Sequence, residues 1–159
     1  MSGSLKIITT IEDIENTQWE EIQNSRFGNF FHTKQAFQYF KSCNLNPFFI
    51  VLKKQDTILG IVSGIIQKET GFLKSFFSRR AIIYSGPVFD KNIKESEISF
   101  LLNFLINHLK KKVIYIEFRN FNDYSGYKNI FSTVGFKYKN HLNFQVDCSN
   151  EKQIIKSLS

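Results

Sequence analysis

Cysteine and proline are scarce in this chain of 159 residues, which has two of each, and its charged residues interrupt every apolar stretch. Cys43 and Cys148 have no metal-ligand spacing and no neighbouring base in sequence that would activate a thiol, which argues against a zinc site and a catalytic cysteine. No run of about 18 apolar residues exists, and Met1–Ser4 lacks the charged and apolar regions of a signal peptide. These absences predict a cytoplasmic protein with free thiols and no transmembrane segment.

The length predicts one domain, and an apolar fraction of 42% is typical of a globular chain. We interpret residues 1–4 as a sequence left over from cloning and residues 5–148 as the domain. Residues 149–159 are predicted to begin a helix that leads to an absent second domain.

The chain carries a net charge of +7, and 17 of its 21 basic residues are lysine. Two interpretations stay open, a solvated lysine-rich surface or a face that binds phosphates, nucleic acid or an anionic membrane. The four arginines are more informative than the lysines because a guanidinium binds phosphate through two hydrogen bonds. They are Arg26, Arg79, Arg80 and Arg119.

The first half of the chain predicts a strand, two helices and a β-hairpin. A strand at Leu5–Thr9 precedes a helix capped by Thr10, with Asp13 as the acid of a capping box. Thr33 caps a second helix, which ends before Pro47. Two runs rich in β-branched and aromatic residues predict the hairpin, Phe48–Lys53 and Thr57–Gln67.

The clearest periodicity lies in the second half. One face of a helix from about Lys94 to Lys111 carries apolar residues at helical spacing. These residues are Ile98, Leu101, Leu102, Leu105, Ile106 and Leu109. The other predicted elements are the strand Ala81–Tyr84 ending at Ser85-Gly86-Pro87, the strand Val113–Phe118, the helix Ser125–Thr133 closed by Gly135, the strand or strands in Phe136–Asp147, and a helix after Ser149.

The resulting order, β-α-α-β-β-β-α-β-α-β-α, predicts a mixed α/β (α+β) fold. A doubly wound sheet is excluded because its strands and helices would alternate throughout. The order matches that of the GNAT acyltransferase fold through the last long strand.

Several segments resemble the Fem-type aminoacyltransferases, a bacterial branch of the GNAT fold. Phe30-Phe31-His32-Thr33 resembles the start of their second helix, and Phe77–Pro87 resembles their strand ending in Gly-Pro. Glu117–Asn120 and Val134–Phe136 resemble the Arg-Asn after a strand and the small helix closing on Gly-Phe. Asn143–Ser159 resembles the strand and helix that lead into their second domain.

The resemblance implies the N-terminal half of a Fem-type acyl- or aminoacyltransferase of peptidoglycan or surface-polysaccharide synthesis, inactive alone. Its implied partners are its own C-terminal GNAT-like domain, an aminoacyl-tRNA and a phosphate-containing cell-wall precursor. Two alternatives stay open: a non-catalytic module that binds anions or RNA, and a small acetyl-CoA-dependent N-acetyltransferase. Enzymatic activity of this chain by itself is therefore an open question.

We expect no bound cofactor and no metal. A coenzyme A site needs a glycine-rich loop whose N–H groups reach the phosphates. The equivalent stretch, Tyr84–Asn92, has one glycine followed by a proline without an N–H. Phe89 and Asp90 then place bulk and negative charge where phosphate would bind.

Two residues are candidate general bases. Glu117 is the only acid inside an apolar strand, and its alternative role is an ion pair with Arg119 or Lys112. His32 begins a helix, where a histidine is more often a capping or packing residue. Candidate substrate-binding residues, chosen as anion contacts, are Lys41, Arg79, Arg80 and Arg119.

Overall fold

The structure, a computed structural model, describes residues 4–15, 18–20, 24–25, 27–71 and 77–141. Six strands form one mixed sheet in the order β1-β2-β3-β4-β6, with β5 also pairing with β3. Among the strand pairings of the described residues, β4 with β6 is the parallel one, and the other four are antiparallel. The strands are β1 Leu5–Ile8, β2 Asn46–Lys54, β3 Thr57–Gln67, β4 Arg80–Tyr84, β5 Val88–Phe89 and β6 Tyr115–Arg119.

Three α-helices have described bounds: α1 Lys34–Ser42, α2 Glu95–Leu109 and α3 Lys128–Thr133. Short 3-10 turns lie at Ile11–Asp13, Phe30–His32 and Ser125–Tyr127. The mixed α/β fold predicted from the sequence is confirmed. Within the described part of the chain, no helix is long and apolar enough to cross a membrane.

Each face of the sheet carries its own core. The apolar stripe of α2 packs against one face, where Leu101, Leu102 and Leu105 are fully buried with Ile50 and Ile83. The second core, on the opposite face by strand alternation, holds Trp19, Phe49 and Ile61 together with Ile8, Ile14, Val51, Ile58 and Val88. The predicted stripe of α2 is therefore confirmed as core, although Ile106 is only half-buried.

The predicted hairpin is confirmed as β2 and β3, with a register shift after Leu52. A side chain at Gly60 would meet Leu101 Cδ2 at 2.9 Å, and one at Gly64 would meet the backbone oxygen of Ile82 at 2.4 Å. Both glycines therefore permit a close approach that any larger residue would block.

Four predictions about elements are corrected. Thr10 precedes a 3-10 turn and makes no side-chain capping hydrogen bond. Pairing resumes after Ser85-Gly86-Pro87 as β5, which the sequence interpretation missed, and β6 begins two residues later than predicted. Residues 136–141 form no strand, so His141 is an exposed residue outside any strand. Residues 142–159, which include Cys148 and the last predicted helix, lie outside the described residues.

Candidate functional site

A bulge of three residues, Ser85-Gly86-Pro87, separates β4 from β5 along the edge of β3. Ser85 and Gly86 both have positive φ, 69° and 78°, and Pro87 lacks an N–H, so ladder pairing cannot continue through these residues. All three residues are buried. The backbone here is held in a rare conformation by its surroundings, which is frequent at functional sites.

Two side chains bind the carbonyl groups of the bulge. The Tyr124 hydroxyl donates to the oxygens of Ser85 at 3.1 Å and Pro87 at 2.6 Å. His32 Nε2 lies 3.0 Å from the oxygen of Gly86. Because a carbonyl accepts, Nε2 carries a proton and donates it to Gly86. All three carbonyls of the bulge are thus occupied from within the chain.

One of the two backbone N–H groups of the bulge is also used within the chain. The N–H of Ser85 donates to the backbone oxygen of Arg119 at 2.8 Å. The Ser85 hydroxyl oxygen accepts a hydrogen bond from the Asn29 amide. The Gly86 N–H has no hydrogen-bond partner among the described residues. Within the described ranges it is therefore the one bulge N–H that is not used by another group of the chain.

His32 is fully buried, and its Nδ1 atom has no hydrogen-bond partner within the described ranges. Burial lowers the pKa of His32 from its ordinary value of 6.5, against the raising effect of its backbone hydrogen bonds to Gly86 and Asn29. The structure thus places His32 as a clamp on the bulge. A role as general base stays a prediction.

This pKa shift predicts a loss of stability in mild acid. The folded state binds the His32 proton less readily than the unfolded state, so the free energy of unfolding falls as pH drops below about 6.5, by at most ~1.4 kcal/mol per pH unit for one proton. Urea unfolding of the wild type and His32→Gln, from about pH 6.5 to about pH 5, measures this slope. Glutamine can still donate to Gly86 but does not titrate, so its slope should be flatter.

His108→Gln is the matched control. The pKa of His108 is also lowered by burial and by Lys112, but His108 is only partly buried. We expect the His108 variant to keep most of the wild-type slope. A wild-type slope that survives in His32→Gln would contradict the assignment.

Four aromatic rings cluster beside the start of the bulge on the α1 face of the sheet, three of them stacked and the fourth, Phe121, edge-on to Phe31. The ring of Phe31 lies 5.1 Å from Tyr84, 6.2 Å from Phe40 and 5.7 Å from Phe121. We call these four rings the aromatic face. Phe121 is 42% exposed, so the cluster reaches solvent and is a candidate contact surface for a ligand.

Glu117 and Arg119 lie beside the aromatic face on β6. Their side chains share one face of the strand, and Arg119 Nε and Nη2 lie 3.0 and 3.2 Å from the two carboxylate oxygens. The guanidinium also sits 5.9 Å from the centre of the Tyr84 ring. The ion pair predicted as one role for Glu117 is present, and it is exposed and not buried in the sheet. Lys112 instead contacts His108.

The other predicted anion ligands are spread out. Arg80 donates to Gln67 Oε1 and to the Tyr115 hydroxyl, whereas Arg79 precedes β4 and Lys41 is exposed in the last turn of α1. A groove of about 1420 Å³ along β6 is lined by Arg80, Glu117 and Arg119, but not by Lys41, Arg79 or His32. Three of the six predicted site residues are therefore brought together.

The loop between β5 and α2 differs from its predicted form. Phe89 packs in the core against Tyr127 and does not occupy the loop, which corrects the reason given for excluding phosphate. The N–H of Asn92 donates to the carboxylate of Asp90 at 2.8 Å, and the N–H of Lys94 donates to Glu97 at 2.9 Å. That second bond is the main cause that lowers the pKa of Glu97.

Asn29, Ser85 and Tyr124 were not identified from the sequence. Ser85-Gly86-Pro87 was a recognisable turn, and that was the only signal for Ser85. Asn29 and Tyr124 are single polar residues in irregular segments, 56 and 39 residues from their partner Ser85. Among the described residues, no three metal-binding side chains lie close enough to hold an ion.

No protein-family model matches this chain, and no curated protein matches it. Solved structures do. It resembles glucosamine-6-phosphate N-acetyltransferase from Arabidopsis thaliana, with a TM-score of 0.61, 13% identity, and coverage of 90% of this chain and 98% of the other. It also resembles a transcriptional regulator from Bacillus halodurans, with a TM-score of 0.63, 17% identity, and coverage of 91% of this chain and 99% of the other. For an aminoglycoside 6'-N-acetyltransferase from Acinetobacter haemolyticus, the TM-score is 0.60 and the identity 10%, with coverage of 91% of this chain and 99% of the other. The chain has the GNAT acetyltransferase fold.

Proposed function

We propose that this chain is the GNAT-like half of a bacterial Fem-type acyl- or aminoacyltransferase that acts in peptidoglycan or surface-polysaccharide synthesis and is inactive alone. The acetyltransferase fold supports acyl transfer. The Gly86 N–H, held in a clamped bulge, supplies a donor for the carbonyl oxygen of an acyl group. The Fem-type assignment rests on the sequence resemblance.

One observation carries the proposal that the acyl donor is not a coenzyme A thioester. A phosphate-binding loop needs N–H groups that are free to reach the phosphates. In Asp90–Lys94, the chain's own carboxylates accept the N–H groups of Asn92 and Lys94, and backbone oxygens accept those of Asp90 and Ile93. Glu97 also forms an ion pair with Lys54 at 3.1 Å. Phosphate would have to displace these carboxylates and overcome their negative charge.

We expect no saturable heat when acetyl-CoA is titrated into this chain up to millimolar concentration. An acetyltransferase of the same fold known with bound coenzyme A, such as the aminoglycoside enzyme solved in that complex, serves as the positive control. A micromolar isotherm would remove the aminoacyl-donor proposal. It would favour the small acetyltransferase, an alternative supported by a structural neighbour determined with acetyl-CoA.

The second alternative is a non-catalytic module that binds anions or RNA, which the net charge of +7 favours. The gene sequence downstream of the codon for Ser159 would distinguish this module from the transferase. A second GNAT-like unit behind an arginine-rich helix would support the transferase and its proposed partners, an aminoacyl-tRNA and a phosphate-containing acceptor. The proposed phosphate contacts are Lys41, Arg79, Arg80 and Arg119.

A further inference from the structure

The end of the sheet that lies away from the bulge is strongly basic. Strand register places Gln67, Arg80 and Tyr115 side by side, where β3 ends and where β4 and β6 begin. The residues just outside this row are also adjacent, because the N–H of Ile114 donates to the backbone oxygen of Arg79 at 2.8 Å. The starts of β4 and β6 and the end of β3 therefore form one edge.

Two helices end at the same edge. Residues 43–45 connect α1 to β2, whose first residue, Asn46, pairs with Ile66 near the end of β3. Residues 110–114 connect α2 to β6. Seven basic side chains thus lie at this edge, and we call them the basic end. They are Lys41, Lys68, Arg79, Arg80, Lys110, Lys111 and Lys112.

The basic end has little negative charge of its own. Among the described residues of its connecting segments, 43–45, 68–71, 77–79 and 110–114, Glu69 is the one acid. The bonds given for three of the seven cations also lead to uncharged partners. Arg80 donates to Gln67 and Tyr115, Lys110 donates to Asn107, and Lys112 contacts His108, whose pKa is lowered.

The opposite end of the sheet is close to neutral. Residues 55–56, 85–94 and 120–124 connect the elements there, and they hold two lysines and three aspartates. These are Lys91, Lys94, Asp56, Asp90 and Asp123. Positive charge is therefore concentrated at one end of the strand axis, and a field of this kind attracts an extended anionic surface.

Exposed apolar side chains lie among these cations. Phe77 is 72% exposed, Ile114 56% and Tyr115 47%. Cations beside such residues suit a bilayer surface, because lysine and arginine meet anionic headgroups while apolar side chains enter the boundary below them. Tyrosine is common at the level of the headgroups.

We propose that the basic end docks this protein on the surface of an anionic lipid bilayer. Nucleic acid is disfavoured because Ile114 offers no ring for base stacking, and five of the seven cations are lysines without the two-pronged donor of arginine. β4 separates the basic end from the bulge by roughly 16 Å, so the bulge would stay open to water. The proposal does not depend on the proposed function.

Sedimentation with vesicles tests the proposal on the whole chain. Phosphatidylcholine vesicles with about one third phosphatidylglycerol should bind the wild type, and vesicles of phosphatidylcholine alone should not. Binding should weaken as salt rises from about 0.05 M to about 0.5 M, because salt screens the attraction. The double variant Lys111→Gln/Lys112→Gln should bind about tenfold more weakly or worse, since each lysine at the surface contributes about fivefold.

Lys6→Gln/Lys91→Gln is the matched control. Both lysines are exposed and lie towards the opposite end, Lys6 on β1 beside the end of β2 and Lys91 between β5 and α2. This variant loses the same charge and should bind within about threefold of the wild type. Urea midpoints confirm that each variant is folded.

Phe77→Ser tests the apolar contribution. Without the ring at the boundary, binding to the anionic vesicles should weaken about fivefold or more. Phe100→Ser is its control, because Phe100 is also exposed but lies near the start of α2. It should leave binding within about twofold of the wild type.

Equal binding to neutral and anionic vesicles would overturn the inference, as would a Lys111→Gln/Lys112→Gln variant that binds like its control. Release of the wild type from vesicles by millimolar glycerol phosphate would show a site for a free phosphate instead. Single-stranded RNA that binds the wild type more tightly than the vesicles, but not the double variant, would show a nucleic-acid surface. No acyl donor is present, so any of these results leaves the proposed acyl transfer to its own test.

Discussion

Gly86→Ala should lower the free energy of unfolding by about 2–5 kcal/mol, the sum of a left-handed backbone cost of about 1–2 kcal/mol and an overpacking cost of about 1–3 kcal/mol. Gly86 has a φ of 78°, which alanine adopts only with strain. A Cβ here would lie 2.4 Å from Asn120 Oδ1 and 2.8 Å from Tyr124 Cζ. Tyr124 cannot move aside without losing its hydrogen bonds to Ser85 and Pro87.

Gly135→Ala separates the two contributions. Gly135 has a φ of 104°, and a Cβ there would meet nothing within 4 Å. This variant therefore reports the backbone cost alone, about 1–2 kcal/mol. Urea unfolding of both variants and the wild type gives the comparison. Equal losses for the two alanines would show that the bulge can relax around a methyl group and that the clamp is not rigid.

Leu105→Ala should cost about 2–5 kcal/mol through lost apolar transfer and a residual cavity. Leu105 is fully buried in the middle of α2, between that helix and the sheet. Leu101 and Leu102 beside it are also fully buried, so little can shift to fill the space. Leu102→Ala should give a loss in the same range.

Phe100→Ala is the control on the same helix. Phe100 is 44% exposed, and removing its ring should cost less than about 1 kcal/mol. Urea unfolding at constant pH measures all three variants. A loss below about 1 kcal/mol for Leu105→Ala would show that the stripe is not close-packed.

The Glu117–Arg119 pair shows how far sequence reasoning reached into the site. An acid inside an apolar strand had to be either a base or a member of an ion pair, and Arg119 was one of the two partners considered. The interpretation expected burial, because the strand was taken as continuous and apolar. In the structure β6 is half-buried to exposed, and the pair lines the groove along β6.

Local pattern alone determined several elements of this protein. The apolar spacing of α2 and the paired β-branched runs of β2 and β3 each reflect a repeat of 3.6 or 2 residues, which a single segment contains in full. The Thr33 cap is equally local, since its hydroxyl accepts the N–H of Ala36 three residues later. Gly135 has the positive φ that its place after α3 predicted.

Only the tertiary structure decided the clamped bulge and the aromatic face. Tyr124, His32 and Asn29 reach the bulge from 37 to 56 residues away. A hydrogen bond between such distant residues leaves no period in the sequence, and a lone asparagine or tyrosine in a loop resembles any surface residue. The short β5 was missed for the same reason, because its two residues form a strand only through the pairing that β3 supplies.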